Sequence, residues 1–167
     1  MSTIKYTEGF FTSHEGDRIY GETAFANAFD SIISTGVLPA SDDYGDFELT
    51  ASGSTITIGT GRAWISGHFY CHDAISTIEA DDSCYIILRL DTEEREFALE
   101  AVTSLDPYDS DLYILLGRWT GSKIISYTPS GSASSTGNCP IAQFRGEGAS
   151  SGSTSTESLI DGMDVVV

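Results

Sequence analysis

The chain has 167 residues, 40% of them hydrophobic and 11% aromatic, with 25 acidic residues against 8 basic ones and a net charge of −17. This length and composition fit one folded domain, or one domain with a tail, and the aromatic share argues against disorder over most of the chain. The negative charge argues against binding to nucleic acid or to an anionic membrane, because phosphates would be repelled.

Residues 1–40 predict a docking arm followed by a helix. Phe10 and Phe11 form an aromatic hook that enters a polar Gly-Asp-Arg turn. The helix is predicted from one continuous apolar stripe with helical spacing, made of Phe25, Ala28, Phe29, Ile32 and Ile33. It opens at Glu22 or Thr23, and Gly36 closes it.

Residues 41–129 predict an antiparallel β-sandwich, because short strands alternate with turn sequences. The predicted strands are Phe47–Ala51, Thr55–Gly59, Arg62–His72, Cys84–Asp91, Glu96–Val102, Leu112–Trp119 and Lys123–Thr128. In the long third strand, Gly67 suggests a bulge or a close approach of another backbone segment. Alternation along that strand places Ala63, Ile65, Phe69 and Cys71 on one face, and Trp64, Ser66, His68, Tyr70 and His72 on the other.

Residues 130–167 predict a Ser/Gly-rich linker and a flexible tail. Residues 130–137 and 148–156 contain only Ser, Gly, Ala and Thr, a composition that cannot bury a core. Between them, residues 138–147 form a mixed island with Ile141 and Phe144. The terminal residues 163–167 either add to a neighbour's sheet edge or fray.

The sequence has no run of 18 apolar residues and no apolar signal core at its start, so we expect synthesis in a host cytoplasm. Cys71, Cys84 and Cys139 form no even disulfide framework and are predicted to be small buried apolar residues.

No enzymatic activity, cofactor or metal is predicted. His68 and His72 stand about 13 Å apart on a strand, with Cys71 facing away from both, which one zinc ion cannot bridge. The acidic loop from Asp106 to Asp111 lacks the Gly and Glu of a helix–loop–helix calcium site, so a solvated turn is favoured over a loose ion site. No nucleophile elbow or phosphate loop occurs. A small hydrolase remains a competitor, and it would need two carboxylates converging in one cleft.

The N-terminal motif Gly9-Phe10-Phe11-x-Ser13-x-x-Gly16-Asp17-Arg18-x-Tyr20 resembles the opening of tail-tip and baseplate proteins of long-tailed bacteriophages. Three further pieces resemble the same group in the same order: the helix with Gly36-Val-Leu-Pro39, then Gly61-Arg-Ala-Trp64-Ile-Ser-Gly67-His-Phe-Tyr70, and Ile86-Ile-Leu-Arg89-Leu-Asp91. The resemblance covers roughly residues 8–128. The group includes upper-baseplate proteins and the shoulder domains of receptor-binding proteins.

The resemblance implies a β-sandwich with a helix, assembled as a trimer or larger ring in the virion and attached to other tail or baseplate proteins. Because no distal head domain follows residue 128, an adaptor for tail fibre or receptor-binding components is expected rather than the receptor-binding protein itself. The residues predicted to form interfaces are Phe10, Phe11, Arg18, Tyr20, Phe25, Phe29, Trp64, Tyr70 and Trp119. The scarce arginines of this acidic chain are each expected to have a carboxylate partner, within the subunit or across an interface, or to be an exposed strand-edge residue. They are Arg18, Arg62, Arg89 and Arg118.

A carbohydrate-binding module that recognises a host surface glycan is the alternative function. Trp64, His68 and Tyr70 on one predicted strand face, or Trp119 with Tyr113 on another, supply aromatic rings for sugar stacking. The competing interpretation of the same rings is packing between sheets or between subunits.

Overall fold

A computed structural model describes residues 21–134 and 139–146 of the chain. Within these residues the protein is mainly β, with helix α1 at Glu22–Asp30 and a 3₁₀ turn at Ser110–Leu112. The strands are β1 (Gly36–Val37), β2 (Leu49–Ser52), β3 (Thr55–Ile58), β4 (Gly61–Ile65), β5 (His68–His72), β6 (Ser76–Glu79), β7 (Cys84–Asp91), β8 (Glu96–Val102), β9 (Tyr113–Trp119) and β10 (Ile124–Ser126). In the described part of the chain, no helix is long and apolar enough to cross a membrane.

The strands form three antiparallel sheets, with orders β1-β4-β5, β10-β9-β7-β8 and β2-β3-β6. The predicted antiparallel β-sandwich with an amphipathic helix before it is confirmed. Alternation explains the strands locally: in β3, Ile56 and Ile58 are fully buried while Thr55 and Thr57, which alternate with them, are half-buried. The hairpin turn after β2 uses Gly53, whose φ of 61° lies in the left-handed region that glycine adopts without strain.

The core lies between the sheets and is built from the buried faces of β2, β3, β4, β7 and β9. Its fully buried side chains include Val37, Phe47, Ile56, Ile58, Ala63, Ile65, Ile86, Leu88 and Leu116. Of the cysteines, Cys84 and Cys139 are buried as predicted, whereas Cys71 is half-buried, and all three are free thiols.

The predicted helix is too long, and Gly36 does not close it. The helix ends at Asp30, with Ser31 as its C-cap. Beyond it, the backbone N–H of Ser34 donates to the carbonyl of Gln143 at 2.8 Å, so the chain leaves the helix to pair with a distant segment. Gly36 lies in β1, where a Cβ would collide with the backbone of Pro140–Ala142.

The prediction of one strand over residues 62–72 is wrong. The segment forms two strands, β4 and β5, joined by a two-residue turn at Ser66 and Gly67 with φ of 47° and 78°. Positive φ at both central residues is the hairpin geometry that matches strand twist. Trp64 therefore pairs with Phe69, and Ala63 pairs with Tyr70. Because paired residues share a sheet face, Trp64 does not lie on the face of Tyr70 and His68.

Part of the predicted linker after residue 129 belongs to the folded body. Ser130 donates from its N–H at 2.6 Å and from its hydroxyl at 2.7 Å to the buried carboxylate of Asp46. Residues 139–146 lie beside residues 32–37, joined through backbone hydrogen bonds such as Val37 N–H to the Pro140 carbonyl at 2.9 Å. The predictions for residues 135–138 and 147–167 lie outside the described residues.

Candidate functional site

A cluster of aromatic rings faces outward where α1 meets the β4–β5 hairpin. The ring centroids of Trp64 and Phe69 are 5.1 Å apart, and those of Trp64 and Phe29 are 5.5 Å apart. Phe29 is 43% exposed and Phe69 is 47% exposed. Phe25 lies one helical turn before Phe29 on the same helix face and is also largely exposed. These four residues are called the aromatic surface below.

Two contacts hold the helix and the hairpin together under the aromatic surface, and a third fixes the turn of the hairpin to the link between α1 and β1. Gly67 approaches the backbone of Ala26 so closely that a Cβ would have no room. His68 Nε2 lies 2.9 Å from a carboxylate oxygen of Glu22. The backbone N–H of Ser66 donates to Thr35 Oγ1 at 3.0 Å. The rings are thus presented on a fixed support, and little side-chain or loop ordering would be needed to cover them.

Of the residues predicted to form interfaces, Phe25, Phe29 and Trp64 are brought together in the aromatic surface. Phe10, Phe11, Arg18 and Tyr20 lie outside the described residues. Sequence reasoning missed Phe69, because it placed this residue on the face opposite Trp64. The Ser66-Gly67 dipeptide, taken as a two-residue hairpin turn, would have paired the two rings.

Trp119 and Tyr70 have structural positions within the chain's own fold. Trp119 is only 3% exposed and belongs to the core, so the sugar-stacking platform proposed for it with Tyr113 is wrong. Tyr70 is half-buried, with its ring 4.9 Å from that of Phe97. The platform of Trp64 with His68 and Tyr70 fails as well, because the hairpin turn puts Trp64 on the other sheet face.

His72 is buried and hydrogen-bonded at both ring nitrogens. Its Nδ1 lies 2.9 Å from the Tyr70 hydroxyl, and its Nε2 lies 3.1 Å from Ser76 Oγ. Burial lowers the pKa of His72, although the carboxylate of Asp73 acts in the opposite direction. Burial also raises the pKa of Tyr70. The chain of hydrogen bonds ties β5 to β6, and we assign it a structural role.

Arg89 has the carboxylate partners predicted for scarce arginines. Its guanidinium donates to Glu100 at 2.8 and 3.1 Å and to Asp91 at 3.1 Å. The hydrogen bonds from Arg89 lower the pKa of Glu100, and the backbone N–H of Glu94 together with Arg89 lowers that of Asp91. These contacts raise the pKa of Arg89 itself. The group stabilises the outer face of the β7–β8 pair.

The other two described arginines of that prediction lie over aromatic rings. The guanidinium carbon of Arg62 is 5.1 Å from the ring centroid of Tyr44, and that of Arg118 is 5.9 Å from the centroid of Tyr85. Both distances are within the range of cation–π contacts. Arginine in this chain therefore pairs with tyrosine as well as with carboxylate.

The acidic loop before β9 is a capped turn. Asp109 precedes the 3₁₀ turn, and its Oδ1 accepts a hydrogen bond from the Asp111 N–H at 2.9 Å. Across residues 21–134 and 139–146, no group of three or more His, Cys, Asp or Glu side chains could hold a metal ion.

A polar cleft of about 730 Å³ opens beside the end of α1. Its walls come from the α1–β1 link, the β4–β5 turn, the 3₁₀ turn with the start of β9, and the segment 139–146. The lining residues are Asp30, Ser34, Thr35, Ser66, Ser110, Asp111, Tyr113, Ile114, Leu115, Pro140 and Arg145. Within it, Arg145 forms an ion pair with Asp30 at 3.2 Å. Arg145, which lies in the segment predicted to be a linker, is thus the positively charged residue in the lining of the cleft.

Comparisons of the chain with protein-family models, with curated proteins and with solved structures found no match. A functional assignment therefore depends on the residues themselves. Among the described residues, the features considered for binding are the aromatic surface, which contains large exposed rings, and the polar cleft.

Proposed function

We propose that the chain is a structural, non-enzymatic virion protein of a phage tail tip or baseplate, where it acts as an oligomeric adaptor for tail fibre or receptor-binding components. The proposal combines the motif resemblance over residues 8–128 with one observation, the aromatic surface. A rigid sandwich that presents adjacent exposed rings on a fixed support has the form of a docking part.

The aromatic surface has the composition of an interface centre. Aromatic side chains are enriched at the buried centres of interfaces, and charged residues surround them at the rim. Here Phe29, Trp64 and Phe69 form the centre. The Glu22–His68 pair joins the same helix and hairpin, and Asp30 at the end of that helix pairs with Arg145 of the adjoining segment. Fully burying one Phe-sized side chain contributes roughly 1.5–3 kcal/mol. Because Phe29 and Phe69 are already more than half covered, covering the rest of each ring contributes roughly half of that amount, and the rings supply part of the affinity of a specific contact.

The net charge of −17 distinguishes the two kinds of partner that the proposal names. Copies of this chain in a trimer or ring repel one another electrostatically, so salt should strengthen their association by screening. A different tail protein that meets this chain through a basic rim should bind more weakly as salt rises. The salt dependence of assembly thus reports which partner covers the aromatic surface.

The test is sedimentation velocity over a concentration series, together with incorporation of tagged chains into tail particles. Phe29→Ser and Phe69→Ser should shift the assembled protein toward monomer and reduce incorporation at least tenfold, while each variant stays folded with a melting temperature only a few degrees lower, because it loses a ring contact with Trp64. Ile75→Ser is the matched control, since Ile75 is 69% exposed but lies outside the aromatic surface. If both Phe variants assemble and incorporate like the control, the aromatic surface is not the docking site and the proposal fails.

A further inference from the structure

The polar cleft beside α1 has a fixed wall of hydroxyl groups. Ser66 Oγ donates to the backbone carbonyl of Asp111 at 3.0 Å, and Thr35 Oγ1 accepts from the Ser66 N–H at 3.0 Å. Ser34 Oγ also lines the cleft and accepts from the Gln143 N–H at 2.8 Å. Because Ser34 and Thr35 use only acceptor capacity in these bonds, each keeps an O–H that can donate to a ligand.

Charged groups in the cleft offer both acceptors and donors. Among the hydrogen bonds of the described residues, none engages the side-chain carboxylate of Asp111, whose oxygens remain acceptors. Arg145 uses one nitrogen for Asp30, and a guanidinium carries five N–H donors. The cleft therefore presents donors and acceptors side by side, with two carboxylates against one guanidinium.

The two carboxylates and one guanidinium of the cleft favour a neutral ligand over a charged one. An anion would meet two carboxylates in a chain of net charge −17. A metal cation lacks a sufficient group of ligands in the described residues, and Arg145 would oppose it. A neutral molecule rich in hydroxyl groups both donates and accepts, so it can satisfy Asp111, Arg145 and the serine and threonine hydroxyls together.

The volume of the cleft and the rings in its lining further restrict the class of ligand that fits. The cleft volume of about 730 Å³ lies within the roughly 300–1,000 Å³ typical of small-molecule sites. Tyr113 and Pro140 add ring surfaces to the lining, against which the C–H face of a sugar ring can pack.

We propose that this cleft binds a neutral saccharide. The site is separate from the failed aromatic platforms, because it contains neither Trp64 nor Trp119. It also goes beyond the docking role, since none of the four residues of the aromatic surface lines it. A chain that assembles without binding sugar would overturn only this inference, and one that binds sugar without assembling would overturn only the docking role.

The experiment is saturation-transfer NMR followed by calorimetry on the full chain, with glucose, galactose, N-acetylglucosamine and the disaccharides maltose and lactose as probes. At least one probe should bind saturably. Asp111→Ala and Arg145→Ala should each weaken that binding about tenfold or more, as expected when a hydrogen bond to a charged group is lost. Asp82→Ala is the matched control, an exposed acid outside the cleft.

Several outcomes would overturn the inference. They are the absence of saturable binding by every probe at millimolar concentration, binding that both cleft variants retain, and tighter binding of inorganic phosphate or calcium chloride than of any sugar. Asp111→Asn keeps an acceptor oxygen while removing the charge. It therefore tests the role of Asp111 with less disturbance of the fold than Asp111→Ala. Unchanged melting temperatures show that any loss of binding comes from the cleft.

Discussion

Trp64 and Phe69 are cross-strand partners whose ring centroids lie 5.1 Å apart at an interplanar angle of 48°. Tilted aromatic pairs at this separation contribute about 0.5–1.5 kcal/mol beyond the area they bury. The pair exists because the chain reverses in only two residues, at Ser66 and Gly67. With a third ring from Phe29 of α1, the outward cluster depends on one turn and on the helix packed against it.

Replacing Gly67 by Ala should separate the hairpin from α1. A Cβ at Gly67 would lie 2.6 Å from the carbonyl carbon of Ala26, and the φ of 78° is unfavourable for any L side chain. Strain of this kind costs on the order of 1–3 kcal/mol by itself, and the collision with fixed backbone adds to it. We expect a lower urea midpoint and a weaker near-ultraviolet circular dichroism signal from Trp64.

Gly53→Ala is the matched control for that substitution. Gly53 also has a positive φ, 61°, but nothing lies within 4 Å of a Cβ there. The control should lose only the conformational term, about 1 kcal/mol. If Gly67→Ala is no more destabilising than Gly53→Ala, the close contact with Ala26 does not hold the helix.

A second prediction concerns the buried carboxylate of Asp46. Asp46→Ala leaves the N–H of Ser130 without its acceptor, and an unsatisfied buried donor costs about 1–3 kcal/mol. Asp46→Asn keeps one acceptor oxygen and should lose less. Chemical denaturation measures both, with Asp42→Ala as the exposed control. Equal stability of all three variants would show that residues 130–134 are not anchored through Asp46.

The predictable part of the fold is the part whose pattern is local. Strand β7 follows the predicted alternation except at Ile87, which is buried where the pairing with β9 is irregular, and the hairpin of β7 with β8 turns at the predicted loop. The β4–β5 hairpin was missed because the sequence pattern of Arg62–His72 was interpreted as one alternation running through Ser66 and Gly67. A two-residue turn shifts the alternation, so every residue after it takes the face opposite to the one predicted. β6 was missed because its sequence, Ser-Thr-Ile-Glu, carries a single apolar residue.

The candidate sites depend on contacts between segments far apart in sequence. Residues 139–146 dock beside residues 32–37 mainly through backbone hydrogen bonds, which leave no pattern in the side chains. Because the sequence on both sides of this segment is rich in Ser and Gly, the segment was predicted to be part of a linker rather than of the folded body. The polar cleft combines residues from 30 to 145, so no local motif could have predicted it.

Cysteine reactivity provides a direct test of that docking. Burial, together with the nearby carboxylate of Asp46, raises the pKa of Cys139 to about 12. Burial also raises the pKa of Cys84. Since the thiolate is the nucleophile, both residues should resist alkylation in the native protein, whereas half-buried Cys71 should react first.

Mass spectrometry after timed iodoacetamide treatment at about pH 8 measures the order of alkylation. Cys139 should be modified at least tenfold more slowly than Cys71, and both should react readily in urea. Comparable native rates for the two residues would mean that the segment carrying Cys139 does not stay docked against residues 32–37.

The stability of the protein should depend on pH through His72. Because its folded-state pKa is lowered from the ordinary 6.5, the unfolded chain binds the proton more readily. The contribution of neutral His72 to the free energy of unfolding is therefore fully present above pH 6.5. It is lost as the pH falls from 6.5 toward the lowered folded-state pKa. The urea midpoint should decrease between about pH 8 and about pH 5, since protonation removes the one ring nitrogen that accepts a hydrogen bond from either the Tyr70 or the Ser76 hydroxyl.

His72→Gln should flatten this pH dependence, although it lowers stability at every pH by disturbing the contacts with Tyr70 and Ser76. Keeping the series above about pH 5 separates His72 from Glu100 and Asp91, whose pKa values are lowered from 4.5 and 3.8, so that their contributions are lost only in more acidic solution. If His72→Gln keeps the full dependence of the urea midpoint on pH, that dependence arises from another group. The buried, hydrogen-bonded histidine would then not control stability in this range.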